Sequence, residues 1–412
     1  MASIEPTDTI PSLKRAERSL RVIISGGGTG GHIYPALAVA QILAESYGAE
    51  ILYIGDADGP EVKLAPAAGF RLKTIHAGKL VRYWSKELIQ ELANVPVGFF
   101  EARQIVHEFD PQAVFTSGGY VATPVGVAAR AHGAPVLIHQ QDVSPNLANK
   151  LLKPFATRIS VSFHDSLRYF PPDKTTVSGN PVRKAILDAA QLSRAQAKQL
   201  SGFADDLPLI VVTGGSQGAR RINQVVCEIL PVILPKANVL HISGRQTFQE
   251  TVERSVQALT SLPEDVRARY KLTPYLDNEM GAALAAADFV IARSGAATLA
   301  ELAVLSRASI LAPLPPGFSG SPQEINANMF ADKGAAVVIP DDAFTAARLL
   351  QSALNLLENS AQVRAMETAA QQFSQPNAAN DIAAQVARLG AEYRVQRRKD
   401  RARRVVERAS RQ

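Results

Sequence analysis

Apolar positions along this chain fall into short unbroken runs separated by longer amphipathic stretches. From residue 20 to about 180 the runs are RVIIS, ILYIG, LKTIH, AVFTS, PVLIH, RISVS and TTVSG, spaced by helical segments such as KELIQELANVPVGFFEARQIVHEF. Continuous apolar strands alternating with helices argue a parallel sheet covered on both faces. From about 207 the pattern restarts with PLIVVTGGSQGARRINQVV and runs on through VLHIS, YKLTPYL, DFVIARS, SILAPLP and AAVVIP. The chain therefore reads as α/β, with two Rossmann-like doubly wound domains facing a central cleft. Residues 21–183 are expected to form the first domain and 207–374 the second. Between them 184–206, with no strand signal, is the expected linker. Residues 1–20 read as a flexible extension, and 375–412 as a helical segment crossing back to the first domain with a basic tail. The stretch from Ala343 to Tyr393 reads as helical, broken near Gln375-Pro376.

Both domains open on strand, glycine loop, helix. The first loop is Gly26-Gly27-Gly28-Thr29-Gly30-Gly31-His32, before a helical stretch opening at Tyr34-Pro35; the second is Gly214-Gly215-Ser216-Gln217-Gly218-Ala219. Such a loop is either a tight packing turn or a cradle presenting N–H groups and a positive helix end to a phosphate. In paired nucleotide folds the ligand sits at the carboxyl ends of the strands. Two further loops would line the same edges: Ser117-Gly118-Gly119-Tyr120, and Arg293-Ser294-Gly295-Ala296-Ala297-Thr298. Gly26, Gly28 and Gly31 also satisfy G-x-G-x-x-G, with Asp56 ending the next strand, as in a dinucleotide-dependent oxidoreductase. Against that, the helix begins with a histidine and a proline, and the second domain has a phosphate-type loop of its own. A nucleotide on the second domain and an acceptor on the first fits both loops better.

Composition narrows the class. At 412 residues, 46% hydrophobic and 20% charged, the chain is ordinary for a globular enzyme. The single cysteine, Cys227, excludes an intramolecular disulfide and a cysteine metal cluster, and its neighbours make it a helix core residue. The first twenty residues lack the architecture of a secretory signal, and there is no run of eighteen apolar residues. The formal net charge of +6 belongs to the tail, where Glu392 to Gln412 carries nine Lys/Arg against three acids. Such a run reads as a solvated helix end, and no nucleic-acid partner is expected.

GGGTGGHIYPALAVA, SGGYVATPVGVAA, IHQQDVSPNLANKLL, GNPVR, GGSQGARRIN, RSGAATLAEL and PQEINA together resemble the MurG family of N-acetylglucosaminyltransferases of peptidoglycan synthesis, in the family's order from about residue 21 to 391. The resemblance implies a glycosyltransferase B fold with no metal or other cofactor. It implies inverting transfer of GlcNAc from UDP-GlcNAc to the 4-hydroxyl of MurNAc in undecaprenyl-pyrophosphoryl-MurNAc-pentapeptide, lipid I to lipid II. Such a transfer needs a base for the acceptor hydroxyl, and His32, titrating near neutrality, suits it. Thr29, Gly30 and Gly31 beside it are expected to bind substrate. Loop N–H groups and a helix start around Ser216 would stabilise the leaving UDP. Glu301 matches the family glutamate that bonds the ribose hydroxyls, and Ala296, Ala297, Thr298, Leu299 and Ala300 precede it at the donor site. Arg183 matches the donor-site arginine, Leu276 the position whose backbone meets uracil, and Gln323 with Asn326 the polar pair that reads the sugar. The chain departs from the family's usual H-E-Q-N at His139-Gln140-Gln141-Asp142, which puts the Asp142 carboxylate beside the donor sugar in place of an amide. Pro322 stands where a histidine or glutamine is usual. A relative acting on another acceptor, or a catalytically silent nucleotide-sugar-binding protein, shares most of these features; His32 argues against the silent one.

A polyprenyl-linked acceptor stays in the bilayer, so peripheral attachment to the cytoplasmic face of the cell membrane, an anionic surface, is expected. Lys79 to Lys86 sets the only tryptophan, Trp84, beside three cations, and Val95, Val97, Phe99 and Phe100 follow on a helical stretch. Those side chains suit either a membrane interface or the first-domain core, and the lipid acceptor favours the interface. The one D-x-D pattern, Asp56-Ala57-Asp58, follows a first-domain strand, away from the domain expected to hold the diphosphate.

Overall fold

The fold is taken from a computed structural model, which describes residues 19–78, 86–203, 207–215, 217–315 and 322–410. Among the described residues, two fully parallel sheets account for every apolar run above. The first has strands β1 (Arg21–Ser25), β2 (Glu50–Asp56), β3 (Arg71–Ile75), β4 (Ala113–Thr116), β5 (Val136–Gln140), β6 (Arg158–Val161) and β7 (Thr175–Val177), in the order β3-β2-β1-β4-β5-β6-β7. The second has β8 (Leu209–Thr213), β9 (Asn238–Ile242), β10 (Tyr270–Thr273), β11 (Phe289–Ala292), β12 (Ala308–Leu311) and β13 (Ala336–Val338), in the order β10-β9-β8-β11-β12-β13. Runs such as Leu209–Thr213 are apolar throughout because helices bury them from both faces. In each sheet the strand order reverses beside the domain's first strand. That reversal opens a crevice at the carboxyl ends, where both glycine loops lie.

On one face of the first sheet the helix Gly30–Tyr47 packs against the terminal helix Ala378–Ala409, with Val39, Leu43, Ile382, Val386 and Leu389 in one core. The chain therefore returns to the first domain at its end. The other face carries the helices Lys86–Phe109 and Ala122–His132. Beyond Arg394 the terminal helix is exposed, and Cys227 is buried in the helix Arg220–Ile233.

The structure departs from the sequence pattern at three places. The first helix starts at Gly30, four residues before Tyr34, so Gly30, Gly31 and His32 make its first turn. Pro35 then lies inside the helix, where it has no N–H to give to the Gly31 carbonyl. The stretch 184–206 carries two helices, Lys184–Ala189 and Arg194–Leu200, the second opened by a capping box of Ser193 and Gln196. Ile186, Ala189, Ala197 and Phe203 join the core of the second sheet. Finally, the C-terminal helices break at Asn359 as well as near Pro376, because the Asn359 side chain accepts the Gln362 N–H (3.0 Å) and starts a new helix there.

Candidate active site

Two glycine loops interlock to seat His32. Its Nδ1 lies 3.0 Å from the Ser117 carbonyl. A carbonyl only accepts, so Nδ1 carries the proton and Nε2 is the basic nitrogen. The Ser117 hydroxyl donates back to the His32 carbonyl (2.6 Å), and Gln141 Nε2 donates to the Ser117 carbonyl (3.0 Å). Gly118 and Gly119 have φ of +101° and +86°; a Cβ on the first would stand 3.1 Å from His32 Nδ1, and on the second 2.3 Å from the Gly27 carbonyl oxygen. Only glycine fits this close approach. Burial holds the imidazole below its ordinary 6.5, opposed by the Asp142 carboxylate, the Ser117 carbonyl and Glu61. His32 is thus neutral, and a base, at pH 7.

The first glycine loop is not an open anion cradle. Gly28 N–H already donates to Glu61 Oε2 (3.3 Å), while Asp56 N–H donates to Oε1 (2.9 Å). Sequence reasoning passed over Glu61, because a lone glutamate opening a short helix normally faces water. The helix start leaves the N–H groups of Gly30 and Gly31, next to Thr29, without intrahelical partners. Asp56 Oδ2 accepts from the Tyr120 hydroxyl (2.6 Å), which engages the carboxylate that a dinucleotide ribose would need.

Across the cleft, Arg183 Nε donates to Glu301 Oε1 at 2.9 Å. Burial pushes the Glu301 carboxyl up, against the downward pull of Arg183. The Arg183 guanidinium lies 5.7 Å from the centroid of the Tyr34 ring, and the Tyr34 and Tyr275 hydroxyls meet at 3.1 Å. Arg245 covers Tyr275 at 4.2 Å, and Leu276 follows, packed on the second core. Asn326 is fully buried: its Oδ1 accepts the Val143 N–H (2.9 Å) and its Nδ2 donates to Asp142 Oδ1 (2.8 Å) and the Ser294 carbonyl (3.1 Å). The amide expected to read the sugar is therefore engaged in clasping the domains together, and Asp142 is its partner.

Gln323 opens the helix Gln323–Asp332, behind Pro322, and its Oε1 accepts the Leu314 N–H (3.1 Å). The helix carrying Glu301 starts at Ala296, with Ala297 and Thr298 half-exposed on its first turn. Ala296, Leu299 and Ala300 are buried in the second core, so they meet a ligand only through backbone. Ser216 lies outside the described residues; the helix after its loop starts at Arg220 with no side-chain cap. His139 is buried between Ser160 Oγ (3.0 Å) and Asn180 Oδ1 (3.1 Å), and burial lowers it to about 4. Of that motif, Gln141 and Asp142 meet the groups around His32 and Asn326.

Of the aromatic stretch, Phe100 is 63% and Val97 46% exposed, while Phe99 packs on the first core. Lys79 to Ser85, with Trp84, lie outside the described residues, as do the side chains of Lys86 and Val95. Leu147, Leu151 and Phe155 are also exposed. The helix Leu147–Leu152 packs against Ala122–His132, which in turn packs against Lys86–Phe109.

Two family models match the chain: the glycosyltransferase family 28 N-terminal domain over residues 22–161 and its C-terminal domain over 209–385. The sequence is similar to the UDP-N-acetylglucosamine–N-acetylmuramyl-(pentapeptide) pyrophosphoryl-undecaprenol N-acetylglucosamine transferase of Desulforamulus reducens, 39% identical over 367 residues, covering 88% of this chain and 97% of that one. It is 38% identical over 365 residues to the enzyme of the same name from a Thermoanaerobacter species, covering 88% and 98%. Among solved structures it is similar to Acinetobacter baumannii MurG, with a TM-score of 0.69 and 27% identity over 90% of this chain and 99% of that one.

Proposed function

The chain belongs to glycosyltransferase family 28, and we propose that His32 is the general base of its transfer reaction. The activity is that of its curated relatives: N-acetylglucosamine passes from UDP-GlcNAc to N-acetylmuramyl-(pentapeptide) pyrophosphoryl-undecaprenol. The observation that carries the role of His32 is its Nδ1 bond to the Ser117 carbonyl, which fixes the tautomer with the lone pair on Nε2. The acceptor 4-hydroxyl gives its proton to Nε2 as its oxygen attacks the anomeric carbon. The bond to the diphosphate oxygen breaks on the opposite side, its electron pair leaves with UDP, and the configuration inverts. N–H groups at the helix starts near Ser216 and Ala296 meet the growing charge on UDP. Glu301, oriented by Arg183, takes the ribose hydroxyls; the backbone at Leu276 takes the uracil. Gln323 reads the sugar, while Asn326 and Asp142 hold the domains around it.

The acceptor's lipid brings the enzyme to the membrane. Among the described residues no helix is long and apolar enough to cross it. Peripheral attachment at an anionic, cytoplasmic surface is supported by exposed Val97, Phe100, Leu147, Leu151 and Phe155, with Lys150 exposed among them. Incubation of the purified protein with labelled UDP-GlcNAc and a lipid I analogue tests the function. A lipid-linked disaccharide is expected; bound UDP-GlcNAc with no disaccharide, beside an active control enzyme, would overturn it.

A further inference from the structure

Glu61 opens the helix Glu61–Ala67, yet its side chain is fully buried beneath the first glycine loop. Both carboxylate oxygens are used, Oε1 by the Asp56 N–H (2.9 Å) and Oε2 by the Gly28 N–H (3.3 Å). Three glycines make room for it, Gly27 from the glycine loop, Gly55 near the end of β2 and Gly59 from the turn before the helix of Glu61. A Cβ on Gly27 would stand 2.2 Å from Oε1, on Gly55 2.4 Å from Cγ, and on Gly59 2.3 Å from Oε2. Taking a carboxylate out of water is costly when it is left unpaired, so hydrogen bonds must replace its hydration. Here two backbone N–H groups do so: Asp56 at the end of β2, and Gly28 in the loop that seats the base. The segments stack closely: Glu61 accepts from Gly28 and lies against Gly27 where a side chain would clash, Gly119 packs on the Gly27 backbone and Gly118 beside the His32 ring with no room for a Cβ, and Ser117 fixes Nδ1.

We propose that Glu61 is a positioning residue for the transfer reaction: its carboxylate clamps the glycine loop under His32 and sets a negative charge on the buried side of the base as it takes the acceptor's proton. This rests on His32 being that base. The charged or titratable groups facing His32 are Asp142 from the loop after β5, Glu61 beneath the glycine loop, and His139 on β5. Both carboxylates favour the imidazolium. Asp142 depends on Asn326 of the other domain for its place, whereas Glu61 is fixed wholly within the first domain. Its effect on His32 therefore persists whether the cleft is open or closed.

Glu61→Gln keeps the shape, removes the charge and turns an amide NH2 toward one of the two N–H donors. The expected result is a kcat about tenfold lower, with the His32 titration, followed by imidazole 15N NMR on the unliganded protein, displaced downward as the raising influence of the Glu61 carboxylate is lost. UDP affinity stays within about twofold, because the donor site lies on the other domain. Glu61→Asp keeps the charge but shortens the reach, so it lowers kcat less and leaves the titration near wild type. A Glu61→Gln protein with wild-type kcat and an unmoved His32 titration overturns the proposal. The NMR arm needs no turnover, so a failed transfer reaction with a displaced titration sinks the assignment of the base and not the link between Glu61 and His32. Should Glu61→Gln not fold, Glu61→Asp and Gly59→Ala, whose new methyl pushes the carboxylate aside, carry the test: lowered kcat supports the proposal, and wild-type kcat in both rejects it.

Discussion

Asn326→Ala measures how much the cross-domain clasp contributes. The amide makes three hydrogen bonds from a fully buried position, at 2.8, 2.9 and 3.1 Å. The two neutral bonds contribute about 1 kcal/mol each and the one on the Asp142 carboxylate about 1.5–3. Their loss, about 3.5–5 kcal/mol, leaves the Val143 N–H buried without a partner, and opening of the cleft is the cheapest way to rehydrate it. The Ser294 bond lies within the second domain, so part of the loss is paid in that domain's own stability. The remainder, on the order of 2.5–4 kcal/mol, shifts the closed-to-open equilibrium by about two to three decades. Small-angle scattering of the UDP complex should show a wider particle, and single-turnover transfer should fall at least about tenfold, with unfolding in urea shifted to lower concentration. Combining Asn326→Ala with Asp142→Ala should add little to either, since the two share one bond. A variant that scatters, unfolds and turns over like wild type would refute the idea that this clasp holds the working arrangement.

Burial lowers His32, and the base works neutral; the neutral, active form therefore predominates at pH 7 and is lost as pH falls through a value below 6.5. A kcat/KM profile whose acid limb lies above pH 7 would contradict this. Transfer should proceed undiminished in chelator; loss restored by magnesium or manganese would show that a cation, and not helix starts, meets the diphosphate charge. Binding to vesicles should require anionic lipid, weaken with salt and drop in a folded Trp84→Glu, Phe100→Glu variant. Equal binding to neutral and anionic vesicles, or none, would reject attachment through this surface.

The architecture was legible because buried parallel strands leave unbroken apolar runs, and Val22–Ile24 or Val290–Ile291 have no other environment in which to be so apolar. Local helix limits were less so. Glycine is a poor helix former, which hides a first turn made of Gly30 and Gly31, and the Ser193–Gln196 capping pair precedes only the short polar stretch RAQAKQL, with no apolar run to mark a helix. The site divided the same way. His32, Arg183 and Glu301 stand in local motifs, but the pairing of Arg183 with Glu301 and the clasp of Asn326 on Asp142 join segments far apart in sequence. Glu61 was hidden because its own stretch supplies Gly55 and Gly59, which read as ordinary strand-end and turn glycines, and the pocket closes over the carboxylate only when Gly27 of the distant glycine loop meets them. Phe99 and Phe100, adjacent in sequence, separate into core and surface because successive helix positions point about 100° apart.

The most direct test of the central claim is single-turnover formation of the lipid-linked disaccharide by His32→Ala, with UDP affinity measured on the same protein by calorimetry. The account predicts a rate lower by roughly two to four orders of magnitude with UDP affinity nearly unchanged, the loss expected of a general base that does not touch the nucleotide. A His32→Ala enzyme that makes the disaccharide at the wild-type rate would leave the histidine as a helix-start residue and the reaction without its base.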